Sequence, residues 1–339
     1  MTSSEASYSD RSAAPAMLDS LVKGPIAWQA RDLQPDDWRV ALSEGALDEL
    51  DAMARRFAAF EGAVEALPPL GPDCPATMAV VAVLRQRIDR GVGFAVLDRL
   101  PVEGWSEPAA RAVSWLLANA LAPAVEQKWT GTRIYDVRDT GAKLGYGVRR
   151  SLTNLKQAMH TDGPWLGATP HHMGLACVRQ AADGGMSRVA SLATVHNRLL
   201  ETAPDLLARL YQPFHWDRQA EHAEGDRPAS WQPVFTWDGE RLRARYYDDY
   251  VHNGYRLMGA ALDAAGLAAL DAMQAIIEAP ETVYEFRLAP GQLFLLDNHR
   301  LAHGRSAFQD SAVAGGRLLL RLWLRRTGGT GFEADPARV

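Results

Sequence analysis

Short apolar runs separated by polar turns fill the sequence from residue 132 onward, and this pattern limits the fold more than any other feature. Eight of the runs have the length of a β-strand: RIYDV, GLACVRQ, SRVAS, QPVFTW, RLRARYY, TVYEFRL, QLFLLD and RLLLRLWLRR. Helical patterns interrupt them only near 192–211 and 256–278. Because strands and helices do not alternate regularly, we predict a mainly β fold, with a β-sandwich or jelly-roll core and helices packed outside it.

The first part of the chain has a different character. Helical patterns begin at Ser43 and run through MAVVAVLRQRIDR and SEPAARAVSWLLANALA, where Ser106 is a candidate N-cap, while GVGFAVLDRL predicts a short buried strand. The first residues are rich in Ser, Ala and Asp without apolar periodicity, so we predict that 1–24 form a disordered tail. Residues 25–339 contain no repeat and no low-complexity linker, which predicts a single domain.

The composition argues against several classes of function. With 36 Lys and Arg against 41 Asp and Glu, the net charge is −5 and no long basic run is present, so we do not expect nucleic-acid binding. No apolar run reaches the roughly 18 residues of a membrane span, and the N-terminal segment lacks a secretion-signal pattern. The two cysteines, Cys74 and Cys177, are too few for a disulfide framework. We therefore expect a cytoplasmic protein without a nucleic-acid or membrane partner.

The segment GGRLLLRLWLRR (315–326) has one face made only of leucine. Its even positions from 318 to 324 are all leucine, whereas the odd positions include Arg317, Arg321 and Trp323. In a β-strand these two sets lie on opposite faces. By itself the pattern is typical of a solvated edge strand. The alternative is that the arginines project into the interior of a barrel and the leucines pack under helices.

Two separate stretches offer metal ligands. In MHTDGPW, His160 and Asp162 are two residues apart, so an extended backbone directs the imidazole and the carboxylate to the same side. In LFLLDNHRLAHGRSAF (293–308), His299 and His303 follow an apolar strand, and only one of them need face a site. Either stretch alone is a weak signal, since a lone histidine is more often structural. Together they supply two histidines and one carboxylate, the facial arrangement of non-haem Fe(II) sites.

These blocks occur in the order and approximate spacing of a known family. His160-Thr161-Asp162, DGGMSRVAS (183–191), DNHRLAHGRSAF and the arginines at 317 and 321 resemble the taurine dioxygenase-like (TauD/TfdA) family of Fe(II)/2-oxoglutarate oxygenases, in the clavaminate synthase-like superfamily. The upstream segments GPIAWQARDL and RGVGFAVLDRLPVEGWS are also similar to N-terminal parts of members, so the resemblance covers nearly all of the chain after the tail. It implies a double-stranded β-helix (jelly-roll) core with flanking helices.

The resemblance also implies roles for individual residues. The family's metal ligands match His160, Asp162 and His303, and its arginine for the distal carboxylate of 2-oxoglutarate matches Arg317. Three further positions match residues near the cosubstrate: Ser187 by its hydroxyl, Asn154 by its place before the metal motif, and Arg321, which binds either the cosubstrate or an anionic group of the substrate. A forked guanidinium suits a buried carboxylate because it donates two parallel N–H bonds.

The implied activity uses Fe(II), with 2-oxoglutarate and O2 as cosubstrates. Its expected outcome is hydroxylation of an unactivated C–H bond with release of succinate and CO2. For the substrate we predict an amino acid or another small amine-bearing acid. Arg321 would hold one end, Asp248 or Asp249 of RYYDDYVHNGYR (245–256) the other, and Trp165 would form a wall. The alternative for 245–256 is a solvated loop.

Two other classes of function stay open. One is a non-catalytic binding or regulatory member of the same fold, although retention of every ligand argues against it. The other is a 2-oxoglutarate-independent metalloenzyme of the cupin type, which usually has more histidines at closer spacing and needs no buried arginine. A homo-oligomer is common among the proteins that the chain resembles, but no segment here identifies an interface.

Overall fold

Strands from both halves of the chain pair into two large sheets. The structure, a computed structural model, describes residues 16–311 and 315–332. Within these residues the first sheet has seven strands: β1 (Arg39–Ala41), β2 (Phe94–Asp98), β3 (Ala124–Val125), β4 (Ile134–Val137), β6 (His172–Arg179), β14 (Leu293–Asp297) and β17 (Leu318–Leu324). The second sheet has four: β5 (Gln157–His160), β8 (Ser187–Ser191), β13 (Val283–Phe286) and β15 (Leu301–Arg305). Three strand pairs complete the set: β7 (Asp183–Gly184) with β16 (Phe308–Gln309), β9 (Pro213–Asp217) with β10 (Ala229–Pro233), and β11 (Phe235–Trp237) with β12 (Leu242–Ala244).

The order of the strands brings the candidate ligands together. The first sheet follows the order β1-β2-β14-β6-β17-β3, with β4 also paired to β17, and the second follows β13-β8-β15-β5. One core cluster combines side chains of both sheets, including Phe94, Met173 and Trp323 from the first and Val189 and Leu301 from the second. β5 and β15 of the second sheet therefore pack on the same core as β17.

Helices account for more of the structure than the sequence pattern predicted. The described residues contain eight α-helices: α1 (Pro35–Trp38), α2 (Glu44–Arg56), α3 (Pro75–Arg90), α4 (Glu107–Leu121), α5 (Leu192–Thr202), α6 (Pro204–Leu210), α7 (Asp248–Leu257) and α8 (Ala264–Ile277). The predicted capping role of Ser106 is confirmed, since its hydroxyl accepts from the backbone N–H of Ala109. Among these helices none is long and apolar enough to cross a lipid bilayer. The fold is a mixed α/β arrangement.

The alternation along β17 separates two hydrophobic cores. Leu318, Leu320, Leu322 and Leu324 belong to the core that the first sheet forms with α2, α3 and α4. Leu319 and Trp323, on the opposite face, belong to the core shared with the second sheet. β17 pairs with β6 on one side and with β3 and β4 on the other, so the interpretation as a solvated edge strand is wrong. Its arginines consequently project into the protein interior, and Arg317 and Arg321 are both buried.

Two other predictions about local structure need correction. Residues 248–257 form α7 rather than a solvated loop, because Val251, Gly254 and Tyr255 supply an apolar face that packs on β9.

The predicted tail 1–24 lies partly outside the described residues. Its last part is packed: the backbone N–H of Val22 donates to Asn197 Oδ1, and Asn197 Nδ2 donates back to the Val22 carbonyl, both at 2.8 Å.

Candidate metal centre and adjoining pockets

Two neighbouring strands of the second sheet bring the candidate metal ligands together. His160, the last residue of β5, lies directly opposite His303 of β15, and their ring centroids are 4.3 Å apart. Nε2 of His160 lies 3.6 Å from Oδ1 of Asp162, and Nε2 of His303 lies 3.9 Å from Oδ2. One ligand atom from each of the three residues lies within 4.8 Å of the others, and all three side chains are buried. Two imidazole nitrogens and one carboxylate oxygen at this spacing fit a single Fe(II) ion.

Local hydrogen bonds fix the tautomer of His160. Its Nδ1 lies 2.9 Å from the carbonyl oxygen of Ala158, and a carbonyl can only accept, so Nδ1 carries the proton. Nε2 is then an acceptor and receives an N–H from the side-chain amide of Gln157 at 2.9 Å. The nitrogen that faces His303 and Asp162 therefore keeps its lone pair, as a metal ligand requires.

The carboxylate of Asp162 is held by two donors from β17. Trp323 Nε1 donates to Oδ2 at 2.7 Å, and Arg321 Nη1 donates to Oδ1 at 3.1 Å. The side-chain oxygen of Asn298 accepts from the backbone N–H of Asp162 at 2.7 Å, which orients the turn after β5. Burial alone would raise the pKa of Asp162, but Arg321 and the two histidines hold that pKa well below its usual range. The carboxylate is thus ionised and rigid before any metal binds.

His303 is held in its neutral form by its surroundings. Burial, together with the neighbouring His160, lowers the pKa of His303 to about 3. A neutral imidazole is the form that binds a metal. The position therefore offers a ligand at neutral pH without first losing a proton.

A pocket beside the triad is lined by three buried arginines, two of which do not contact the triad. This Ser187 pocket is lined by Ser187, His303, Arg305, Arg317 and Arg321 among others. Nη1 of Arg317, and both Nε and Nη1 of Arg305, are buried with no hydrogen-bond partner among the described residues. Phe308 lies between the two guanidiniums, 4.8 Å from Arg305 and 5.1 Å from Arg317 as measured to the ring centroid.

The side chains of Arg305 and Arg317 give this end of the Ser187 pocket a positive charge. Burial lowers the pKa of Arg317 to about 10, and burial together with the charge of Arg317 lowers the pKa of Arg305 to about 9. Both side chains still carry a proton at neutral pH. Two buried guanidiniums, with N–H groups that lack partners among the described residues, in a pocket that His160 and His303 also line, suit a small dicarboxylate such as 2-oxoglutarate.

The Gly-Gly motif before Ser187 has a geometric reason. Gly184 has φ +68°, and a Cβ there would overlap the carbonyl oxygen of Ala307. Gly185 has φ +67°, and a Cβ there would lie 3.3 Å from Nε of Arg317. Glycine at both positions lets β7 pair with β16 and lets the backbone approach Arg317. The motif thus shapes the wall of the pocket as well as placing the Ser187 hydroxyl.

A second pocket opens on the other side of the triad. This Tyr247 pocket is lined by Arg149, Trp165, Tyr247, Tyr250 and Arg321, together with His160 and Asp162. Trp165 packs edge-to-face on Tyr250 at 5.4 Å, and Tyr247 lies 4.1 Å from Tyr250 between ring centroids. Trp165 therefore lies where the sequence predicted a wall of the active site.

Several residues that the sequence proposed lie elsewhere. Asn154 is exposed and lines neither pocket; its carbonyl accepts from the backbone N–H of Phe308. Asp248 pairs with His252 at 3.5 Å, and Asp249 pairs with Arg150 at 3.0 Å; neither acid is among the residues that line the Tyr247 pocket.

Strand geometry explains why only one histidine of 293–308 joins the triad. His299 lies in the turn between β14 and β15, where its Nε2 is 2.7 Å from the hydroxyl of Thr169. It lines a separate cleft of about 690 Å³ with His171 and His172. Another cleft of about 660 Å³ is lined by Arg209, Trp231 and Tyr255. Neither of these larger clefts contains a triad residue, so size alone does not mark the site.

Sequence reasoning missed three residues that touch the site. Arg305 stands two residues after His303 on the same strand, and this spacing alone could have placed it in the pocket. Gln157, three residues before His160, carried no recognisable signal. Arg149 precedes the metal motif in an arginine pair, and nothing in the sequence separated it from its exposed neighbours.

A facial triad of this kind beside an arginine-lined pocket defines a non-haem iron oxygenase. A family model described as "Taurine catabolism dioxygenase TauD, TfdA family" matches residues 63–323. The chain belongs to this family, which confirms the resemblance found in the sequence. It is a 2-oxoglutarate-dependent dioxygenase that uses Fe(II), 2-oxoglutarate and O2.

The similar proteins match between 44% and 94% of this chain. FR-33289 synthase from Streptomyces rubellomurinus is 28% identical over 324 residues, which is 94% of each chain. Uridine-5′-phosphate dioxygenase from Amycolatopsis sp. is 30% identical over 151 residues, 44% of this chain and 54% of its own. Among solved structures, an asparagine oxygenase in complex with Fe(II), 2S,3S-3-hydroxyasparagine and succinate has a TM-score of 0.64 at 20% identity, covering 85% of this chain and 94% of its own. The non-haem iron oxygenase OrfP with Fe and α-ketoglutaric acid has a TM-score of 0.61 at 16% identity, with the same coverage.

Proposed function

We propose that the protein hydroxylates an unactivated C–H bond of a small polar acid, consuming 2-oxoglutarate and O2 and releasing succinate and CO2. The observation that carries this proposal is the pairing of the triad with the Ser187 pocket, where Arg305 and Arg317 have buried N–H groups without a hydrogen-bond partner among the described residues. When bound, the iron would activate O2 for the attack on the C–H bond. The side chains provide ligands, orientation and a site from which water is largely excluded.

The ligand roles follow from the hydrogen bonds around each residue. His160 and His303 offer Nε2, and Asp162 offers a carboxylate oxygen whose direction Trp323 and Arg321 hold. Such outer contacts orient a ligand and restrict it to one geometry. Three protein ligands on one face leave room for a bidentate cosubstrate and for O2.

The cosubstrate role rests on the Ser187 pocket. Arg317 and Arg305 can both donate to the distal carboxylate of 2-oxoglutarate, and the Ser187 hydroxyl can donate to a remaining lone pair. The keto acid end then lies toward His303 and the metal. This assigns Arg305 to the cosubstrate site in addition to the residues that the sequence proposed.

The names of similar proteins limit the expected substrates to small acids. The printed names of similar proteins mention asparagine oxygenase, 3-hydroxyarginine complexes, uridine-5′-phosphate dioxygenase and a taurine hydroxylase-like protein. Each of these compounds carries an acid group. Amino acids are the first class to test, with other small acids second.

The competing classes are less well supported. A non-catalytic binding protein has no need for an ionised, doubly hydrogen-bonded Asp162 beside two histidines. A cupin-type enzyme that does not use 2-oxoglutarate has no need for Arg305 and Arg317, whose buried N–H groups lack a hydrogen-bond partner among the described residues. We also infer that the two large sheets are the halves of a double-stranded β-helix, and that 25–339 form one domain.

Succinate release tests the proposal. Protein is incubated in air with Fe(II), 2-oxoglutarate and a panel of amino acids and other small acids, and succinate and the substrate mass are measured. We expect succinate to require Fe(II) and 2-oxoglutarate, and one substrate to gain a single oxygen atom. His303→Ala should abolish both signals, and His299→Ala, four residues earlier but outside the triad, should keep them. Product without 2-oxoglutarate would favour the cupin-type class, and no turnover with any acid would favour the binding protein.

A further inference from the structure

Arg149 is a buried guanidinium that the iron and cosubstrate sites do not use. Its side chain is among the buried charged groups, at 6% exposure, and it lines the Tyr247 pocket next to the triad. Nη2 donates at 2.7 Å to both Glu221 Oε1 and the carbonyl of Gln127. Nε and Nη1 are buried and have no hydrogen-bond partner among the described residues. Nη2 is therefore held by the protein, whereas Nε and Nη1 still have N–H donors to offer.

A second guanidinium lies against the same aromatic rings. Arg149 lies 5.8 Å from the ring centroid of Tyr135 and 5.9 Å from that of Trp323, while Arg321 lies 5.0 Å from each. Nη2 of Arg321 is also buried without a partner among the described residues. Burial and the charge of Arg321 lower the pKa of Arg149, which shows that the two cations repel one another.

The charge balance of the Tyr247 pocket is positive. Its described lining includes three arginines, at 149, 150 and 321, but a single carboxylate, Asp162. Arg150 is neutralised from outside by Asp249 at 3.0 Å. Arg321 relies on Asp162, and an iron ion bound to that carboxylate would share its charge. With the metal in place, the pair Arg149 and Arg321 has only Glu221 as a full counterion, and a buried excess of positive charge is costly unless an anion joins it.

We propose that Arg149 binds an anionic group of the substrate, a carboxylate, sulfonate or phosphonate, in the Tyr247 pocket beside Arg321. This inference rests on the proposed function, since it assumes iron on Asp162, and it names a protein group that receives the acid. Nε and Nη1 lie on different edges of the guanidinium, and each can donate one hydrogen bond to such a group. Trp165 and Tyr250 enclose the carbon skeleton.

A purely structural role for Arg149 makes a different prediction. Arg149 could serve only to join the segment before the metal motif to Glu221, which also accepts from the backbone N–H of Trp129. Removal of either Arg149 or Glu221 would then break the same contact, and both variants would change the affinity for the anion in the same direction. In the binding role the signs are opposite, because Glu221 competes with the substrate anion for the charge of Arg149.

The test uses the protein loaded with Fe(II) and 2-oxoglutarate under argon, with methylphosphonate, methanesulfonate and acetate as separate probes. Dissociation constants come from calorimetric titration, and the visible band of the iron chelate is recorded in each sample. Arg149→Gln should weaken the tightest probe by about tenfold or more, and Glu221→Gln should strengthen it. Arg209→Gln is the matched control, because Arg209 is also paired with a carboxylate, Asp263 at 2.7 Å, and stacked on an aromatic ring, Phe214 at 4.1 Å, away from this pocket.

Each result decides one point. The probe that binds tightest identifies the kind of anion, and opposite shifts in the two variants support the proposal. Unchanged affinity in Arg149→Gln, equal losses in both variants, or no binding of any probe to wild type would overturn it. If Arg149→Gln does not fold, Arg149→Lys is used instead. It keeps the positive charge but not the guanidinium donors, and it should give a smaller loss of probe affinity. Absence of the iron chelate band in wild type would instead contradict the proposed function.

Discussion

The indole N–H of Trp323 donates a 2.7 Å hydrogen bond to Oδ2 of Asp162, so a strand of the first sheet orients the carboxylate of the candidate iron site. Trp323→Phe keeps the ring but removes the donor. We expect Fe(II) affinity to fall by about tenfold, because the carboxylate gains freedom to rotate. Anaerobic metal titration measures this, with Trp165→Phe as the control, since Nε1 of Trp165 has no partner among the described residues. Equal Fe(II) affinity in the two variants would show that the hydrogen bond does not orient the ligand.

Arg305 and Arg317 should act on the cosubstrate and not on the metal. Each of Arg305→Gln and Arg317→Gln removes one of the two guanidiniums assigned to the distal carboxylate, so we expect 2-oxoglutarate affinity to fall by about tenfold or more in each case while Fe(II) binding is retained. Titration of 2-oxoglutarate into the Fe(II) protein under argon measures both quantities. Wild-type affinity in Arg305→Gln would remove that residue from the cosubstrate site.

Gly184 should tolerate no side chain. At φ +68° a Cβ would overlap the carbonyl oxygen of Ala307, so we expect Gly184→Ala to destabilise the fold by roughly 1–3 kcal/mol. Gly239→Ala is the control, because Gly239 also has a positive φ, +95°, but a Cβ there meets nothing within 4 Å. Thermal unfolding of the two variants separates overlap from backbone strain, and equal losses would rule out the overlap as the cause.

His196 should make stability depend on pH. Burial lowers its pKa from the ordinary value of 6.5 to about 4, and its Nε2 lies 2.9 Å from the hydroxyl of Tyr211. As the pH falls below 6.5, the unfolded chain takes up the proton first, so stability is lost between pH 6.5 and about 4. We expect the denaturant midpoint of His196→Gln to depend less on pH than that of wild type between pH 6.5 and about 4. Tyr211→Phe should lower the midpoint at every pH without changing the slope; a wild-type slope in His196→Gln would contradict the assignment.

The sequence was most informative where spacing alone decides geometry. The two-residue spacing of His160 and Asp162, and the alternation along β17, each place side chains on one face of an extended backbone, and the structure brings these side chains together. The order of the motif blocks identified the family. Arg305 was accessible by the same reasoning, because it stands two residues after His303.

The remaining features depend on contacts that no local pattern encodes. Asp248 and Asp249 were proposed as substrate ligands from composition, but they pair with His252 and Arg150 and do not line the Tyr247 pocket. Arg149 became a candidate only through its burial, its partly satisfied guanidinium and the rings that it shares with Arg321. Tertiary packing, not residue type, separates it from the half-buried Arg150 beside it.

The most direct test of the central claim is an anaerobic titration of Fe(II) into metal-free protein, with and without 2-oxoglutarate, in wild type and in His160→Ala. The account predicts a visible charge-transfer band that requires both components and that is lost in the variant. A folded wild-type protein that gives no band, or an unchanged band in His160→Ala, would contradict the assignment of the iron site to His160, Asp162 and His303.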